Sequence, residues 1–154
     1  RIDVAGLGDK AAKLFPRIDI AVTTPGLNIR KTVLDYTEED LDRVLDLNVK
    51  GTVWFFQAFG RIMSQQRCGS LIACSSMRAV TIEPGLAVYG ATKAAIGLLV
   101  KGFASEVGPF GVRVNAIWPL CGSTTTSVVK VPSRIAPMCA VGNGSCACFA
   151  ASVA

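Results

Sequence analysis

The chain has 154 residues, of which 51% are hydrophobic and 18% charged, with a net charge of +5 and no histidine. This composition suits a single globular domain with a filled core and argues against a disordered chain. The missing histidine excludes a Ser-His-Asp triad, a Cys-His dyad and any His-ligated metal.

The opening stretch RIDVAGLGDKAAK lacks the apolar segment of a secretory signal. No apolar run reaches the ~18 residues of a membrane span, so no membrane association is expected. Basic residues at Arg30, Lys31, Arg43, Lys50 and Arg61 are scattered. A nucleic-acid surface needs them clustered on one face, so no nucleic-acid partner is expected. Cys68, Cys74 and Cys121 are widely spaced, and Cys139, Cys146 and Cys148 form no CxxC pair. We read all six as free thiols of a cytoplasmic protein, with no metal site.

In chain order, RIDIAVTT (17–24) is short, apolar and β-branched, and it ends at Pro25-Gly26. It predicts a buried strand followed by a turn. Residues 35–66 predict a long helix. Thr37 is its cap, Glu38, Glu39 and Asp40 suit its first turn, and Gly51 marks a bend. GSLIACSS (69–76) predicts a second buried strand, and MRAVTIEPGLAV a connecting loop. A second long helix is expected over 86–107, closed by Gly108-Pro109. GVRVNAIWP (111–119) predicts a third strand. After Leu120 the periodicity fades into a small-residue, turn-rich tail, which is expected to be a loop region. Strands alternating with long helices imply an α/β fold with a parallel sheet. Sites in such sheets lie beyond the carboxyl ends of the strands. Here three stretches should meet there, at 24–26, 74–76 and 118–120.

Both long helices read as apolar nearly all round, through Val53, Trp54, Phe55, Phe56, Phe59 and Ile62 in one and Ile96, Leu98, Leu99, Val100, Phe103 and Val107 in the other. One side can pack on the sheet. The other needs a cover, and with no spare helix evident a second copy of the chain is the expected one.

Tyr89 and Lys93 stand four residues apart, on one face of the second long helix. A free phenol titrates near ~10, and an ammonium beside it favours the phenolate, which makes such a tyrosine a usable acid or base at neutral pH. Alone, the pair reads far more readily as an ordinary polar helix face, since YxxxK is a loose pattern. Ser76, at the end of the second strand, could hold a carbonyl oxygen, and Ser75 could serve equally. Asn48 lies inside the first long helix, where asparagine is a poor former.

Taken together, these residues resemble the short-chain dehydrogenase/reductase family. The order Asn48, Ser76, Tyr89, Lys93 is similar to its tetrad. LDLNVKGT resembles its helix motif around Asn, GSLIACSS its serine strand and YGATKAAI its YxxxK helix. GVRVNAIWP resembles its RVNAIxPG strand, and RIDIAVTTPG its DILVNNAG strand. The resemblance covers about residues 1 to 124, and it implies a Rossmann-like sheet flanked by helices. A partial domain is expected over 1–126, with a divergent tail over 127–154. Tyr89 would be the general acid/base. Lys93 would assist it and bind the nicotinamide ribose. Ser76 would orient the substrate, and Asn48 would hold the helix bend and a relay water. Gly26, Tyr89, Lys93, Pro119 and Thr124 would line the cofactor. The implied reaction is hydride transfer between NAD or NADP and a small carbonyl or alcohol, in a homodimer or homotetramer built through the long helices. The sequence departs from the family in four places. It has no TGxxxGxG loop, and about two βα units are missing ahead of it, which leaves the first strand as an open edge. TTPG stands where the family has NNAG. Pro119-Leu120 replaces Pro-Gly, and the tail after 126 differs. These departures keep a second expectation open, an inactive homologue acting as an oligomerisation or partner-binding module.

Overall fold

Three parallel strands form the sheet: β1 (Ile20–Thr23), β2 (Gly69–Cys74) and β3 (Val112–Ile117), in the order β1-β2-β3. The computed structural model of the chain describes residues 4–119. The expected tail over 127–154, Thr124 and four of the six cysteines lie outside the described residues.

Register aligns Ala21 with Leu71 and Leu71 with Val114, then Thr23 with Ala73 and Ala73 with Ala116. Alternation along a strand therefore sends Ala21, Leu71, Ala73, Val112, Val114 and Ala116 to one face. Those residues join Phe55, Phe56, Phe59, Met63, Ile96, Val100 and Val107 in the buried core. β2 is central and buried along almost its whole length, which is why its sequence reads as a continuous apolar run rather than an alternating one.

Between β1 and β2 the chain forms α2 (Glu38–Leu45), a π-helical turn (Asp46–Lys50) and α3 (Gly51–Gln66). The helix expected over 35–66 thus begins at Glu38, because the Thr37 side chain accepts from Asp40 N at 3.2 Å. Its irregularity is a π turn centred on Asn48, and Gly51 is an ordinary first residue of α3. α4 (Ala87–Val107) joins β2 to β3. It ends in a short 3-10 turn, and Gly111 follows at φ 78, where an added Cβ would stand 2.5 Å from Arg67 O. Only glycine takes that left-handed conformation without strain. β1 pairs with β2 alone among the described residues, and its approach is held by Gln66, whose side-chain amide bonds both Ile18 N (3.0 Å) and Ile18 O (2.8 Å).

Two expectations about the helices are corrected. First, AGLGDKAAK lies in a helix, α1 (Val4–Leu14), which packs on α3. Gly8 makes the approach possible, since a Cβ there would fall 2.9 Å from Ala58 Cβ. A covering helix within the chain therefore does exist for part of α3. Second, α3 is not apolar all round: Gln57, Arg61 and Gln65 form an exposed polar stripe at helical spacing. α4 does leave an apolar face open, with Ala87, Ala91, Ala94 and Leu98 exposed, the last at 72%.

Candidate active site

The carboxyl ends of β1 and β2 are joined by one side chain. Lys93, on the second turn of α4, is only 2% exposed. Its ammonium donates to Pro25 O, just past β1, and to Cys74 O at the end of β2 (3.0 Å). Burying a cation is costly unless its donors are met, and these backbone carbonyls meet them. Tyr89 lies one turn earlier and is half-buried, with the Lys93 Nζ 5.6 Å from its ring centroid. The i, i+4 spacing thus puts phenol and ammonium together at the strand ends.

The two candidate serines separate cleanly. Ser75 is 3% exposed, and its Oγ donates to Lys93 O at 2.7 Å, so its hydroxyl is committed to fastening α4. Ser76 is half-buried in extended backbone, and its Oγ accepts from Arg78 N at 3.2 Å. That bond uses an oxygen lone pair and leaves the O–H proton for another acceptor. The geometry therefore favours Ser76 over Ser75.

Asn48 is fully buried. Its Oδ1 accepts from Leu27 N (2.9 Å), and its Nδ2 donates to Leu27 O (2.9 Å) and to Thr92 Oγ1 (3.0 Å). Thr92 Oγ1 in turn donates to Tyr89 O at 2.7 Å. A connected chain of hydrogen bonds therefore runs from the loop after β1, through the π turn, to the turn carrying Tyr89. The Asn48 carbonyl accepts from Thr52 Oγ1 at 2.7 Å, within the stretch where the helix widens. Sequence reasoning missed Thr92. The available signal was a β-branched hydroxyl residue in mid-helix, between Tyr89 and Lys93, where propensity disfavours it.

Gly26 is exposed, and an added Cβ would meet nothing nearer than Thr24 O at 3.9 Å. The backbone beside Pro25 therefore presents an open surface next to the lysine anchor. Pro119 is exposed just beyond β3, on the same edge. The loop leading from Gly26 to α2 is tied down by Tyr36 Oη donating to Ile29 O and by the Lys31–Asp40 ion pair. Burial pushes the Tyr36 phenol up, aided by the nearby Asp40 charge. The hydrogen bond from Lys31 holds the Asp40 carboxyl below its usual value. Among the described residues no cluster of His, Cys, Asp or Glu could hold a metal, and no helix is long and apolar enough to cross a membrane. Cys68 is an exposed free thiol, and the buried Cys74 Sγ donates to Ser75 O at 3.7 Å.

The family described as Enoyl-(acyl carrier protein) reductase matches residues 2–138 of the chain. An uncharacterized oxidoreductase of Staphylococcus aureus (strain MW2) is 30% identical over 123 residues, which is 80% of this chain and 53% of that protein. The chain thus spans about half the length of the curated relatives it matches. Among solved structures, NAD+-bound xylitol dehydrogenase aligns at 34% identity with a TM-score of 0.67, over 75% of this chain and 45% of that one. A gluconate 5-dehydrogenase from Burkholderia cenocepacia J2315, in complex with NADP and tartrate, aligns at 27% identity with a TM-score of 0.72, over 75% of this chain and 46% of the other.

Proposed function

The chain belongs to the short-chain dehydrogenase/reductase family, and from that premise we propose that it serves NAD- or NADP-dependent oxidoreduction of a small carbonyl or alcohol, with Tyr89 as general acid/base. One observation carries the reading: Lys93 is fixed between the ends of β1 and β2 with its ammonium beside the Tyr89 ring, and the Cys74 carbonyl that it bonds lies two residues before Ser76. Solved relatives held with NAD+ and with NADP support the choice of cofactor.

Ser76 donates its hydroxyl proton to the substrate oxygen and so fixes where that oxygen sits. Tyr89 gives its phenolic proton to the same oxygen in reduction and takes it back in oxidation. The Lys93 charge stabilises the phenolate that forms when the proton leaves. Asn48 and Thr92 hold the Tyr89 turn against the loop after β1, and this keeps the proton donor in line. The bound nicotinamide supplies the hydride chemistry, and the protein positions it. The residues fit the nicotinamide-ribose end of such a cofactor, through Lys93 and the open backbone at Gly26. In the family the pyrophosphate end is cradled by a glycine-rich turn and helix N-terminus, a motif that is not among these 154 residues. A second reading, an inactive module that associates with partners, draws on the exposed apolar face of α4. The open α4 face of Ala87, Ala91, Ala94 and Leu98 supports self-association under either reading.

Titration with NADH and NADPH, followed by fluorescence, tests the first reading. Saturable binding is expected, with Tyr89→Phe abolishing turnover and leaving cofactor affinity within two-fold, a prediction that follows from Tyr89 acting only on the proton. No saturation at millimolar cofactor, or undiminished turnover in Tyr89→Phe, overturns it. A monomer by light scattering overturns the α4 interface.

A further inference from the structure

We propose that Glu83 is a positioning residue that clamps the Ser76 turn and the first turn of α4 into one unit. The proposal rests on the reading of Ser76 and Tyr89 given above. The Glu83 carboxylate takes two arginines from different parts of the chain. One of its oxygens accepts from Arg30, in the loop after β1, at 2.7 Å, and the other pairs with Arg78, two residues past Ser76. Arg30 also donates to Pro84 O at 3.5 Å. Its stem lies close over Gly85, where a Cβ would fall 3.2 Å from Arg30 Cγ; Gly85 sits at φ 78 and so admits no ordinary side chain without strain.

The arginine on the far side of the carboxylate bonds the Ser76 hydroxyl and lies against the turn that carries Tyr89. Arg78 N donates to Ser76 Oγ, and so sets the direction of that hydroxyl. The Arg78 carbonyl presses on α4 at Gly90, next to Tyr89, so closely that a Cβ there would stand 2.8 Å from it. α4 has no side-chain cap at Leu86, and its entry is held instead by Leu86 N donating to Glu83 O at 3.1 Å. Glu83 therefore anchors the start of the Tyr89 helix through its backbone and the Ser76 turn through its carboxylate. It ties both to the β1 loop that presents Pro25 to Lys93. Two charge-assisted bonds, one from each guanidinium to its own carboxylate oxygen, fix the orientation of the carboxylate as well as its distance. Two side chains that must meet one substrate oxygen need that precision, since a misplacement of ~1 Å can cost about 100-fold in rate.

The test compares Glu83→Gln, Glu83→Ala, Arg30→Gln and Arg30→Lys in the full chain. Amide hydrogen exchange is expected to rise about ten-fold over residues 76–90 in Glu83→Gln and Arg30→Gln, with α3 and β3 unchanged, and Arg30→Lys should restore most of the protection. With diacetyl as a neutral carbonyl probe and NADPH, kcat should fall about ten-fold while KM stays within two-fold. Unchanged exchange over 76–90, or a rise spread evenly across the chain in Glu83→Gln, overturns the clamp. A clamp seen by exchange with kcat unaltered overturns the positioning role. A wild-type chain that turns over no probe counts against the functional reading, while the exchange result still judges the clamp.

Discussion

Replacing Asn48 by leucine keeps the side-chain volume and removes every hydrogen bond of its amide. The structure shows three such bonds, at 2.9, 2.9 and 3.0 Å, all made by a residue that is 0% exposed. At about 1 kcal/mol net for each bond, and with Leu27 N, Leu27 O and the Thr92 hydroxyl left without this partner, the expected loss is about 3 kcal/mol. With a urea slope of about 2 kcal/mol/M, the unfolding midpoint should drop by about 1.5 M without a change in slope. Thr92→Val removes the link from Asn48 onward to Tyr89 O and should cost about 1 kcal/mol. Because the two residues share a bond, the double variant should fall short of the sum by at least about 0.5 kcal/mol. A loss under about 1 kcal/mol for Asn48→Leu would show that its amide does not hold the loop to the helix. Strict additivity would refute a continuous chain from Leu27 to Tyr89.

Gly111→Ala should destabilise by about 2 kcal/mol or more, because φ 78 and the 2.5 Å approach to Arg67 O both oppose a Cβ. The matched control is Gly102→Ala in α4, where nothing lies within 4 Å, and there stability should rise by about 0.5–1 kcal/mol; thermal melts of the two variants moving the same way would contradict the geometry. The Asp40 carboxyl is held below its ordinary value of 3.8, so its pairing stabilises the fold above that pH and is lost as pH falls through the lower, folded value. Asp40→Asn should therefore flatten the acid limb of the stability–pH curve below 3.8 and leave the neutral region nearly parallel to wild type. An unchanged acid limb in urea titrations would refute that pairing.

How far the sequence could be read depended on the range of the interaction behind each feature. The strands at 20–23, 69–74 and 112–117 and the helix 87–107 were legible because apolar runs and turn residues are local signals. The pairing of Tyr89 with Lys93 was legible for the same reason, since helical spacing alone brings them together. α1 was missed because two glycines obscured its pattern, and their purpose shows only in contact, with Gly8 facing Ala58 some fifty positions away. Propensity points to Gly51 for the bend, whereas the distortion surrounds Asn48, the residue to which the family resemblance gives that bend, with its amide drawn to Leu27 and Thr92.

The sequence by itself determined an alternating α/β chain, its parallel sheet, and the pairing of Tyr89 with Lys93 on one face of a helix. Only the tertiary structure shows that the Ser75 hydroxyl is committed to the Lys93 carbonyl, whereas Ser76 Oγ accepts from Arg78 N. It also decided that Lys93 bridges two strand ends through backbone carbonyls and that Glu83 joins two distant arginines. Backbone oxygens carry no sequence identity, and ion pairs across loops have no period. Such contacts exist only once the strands have been set side by side.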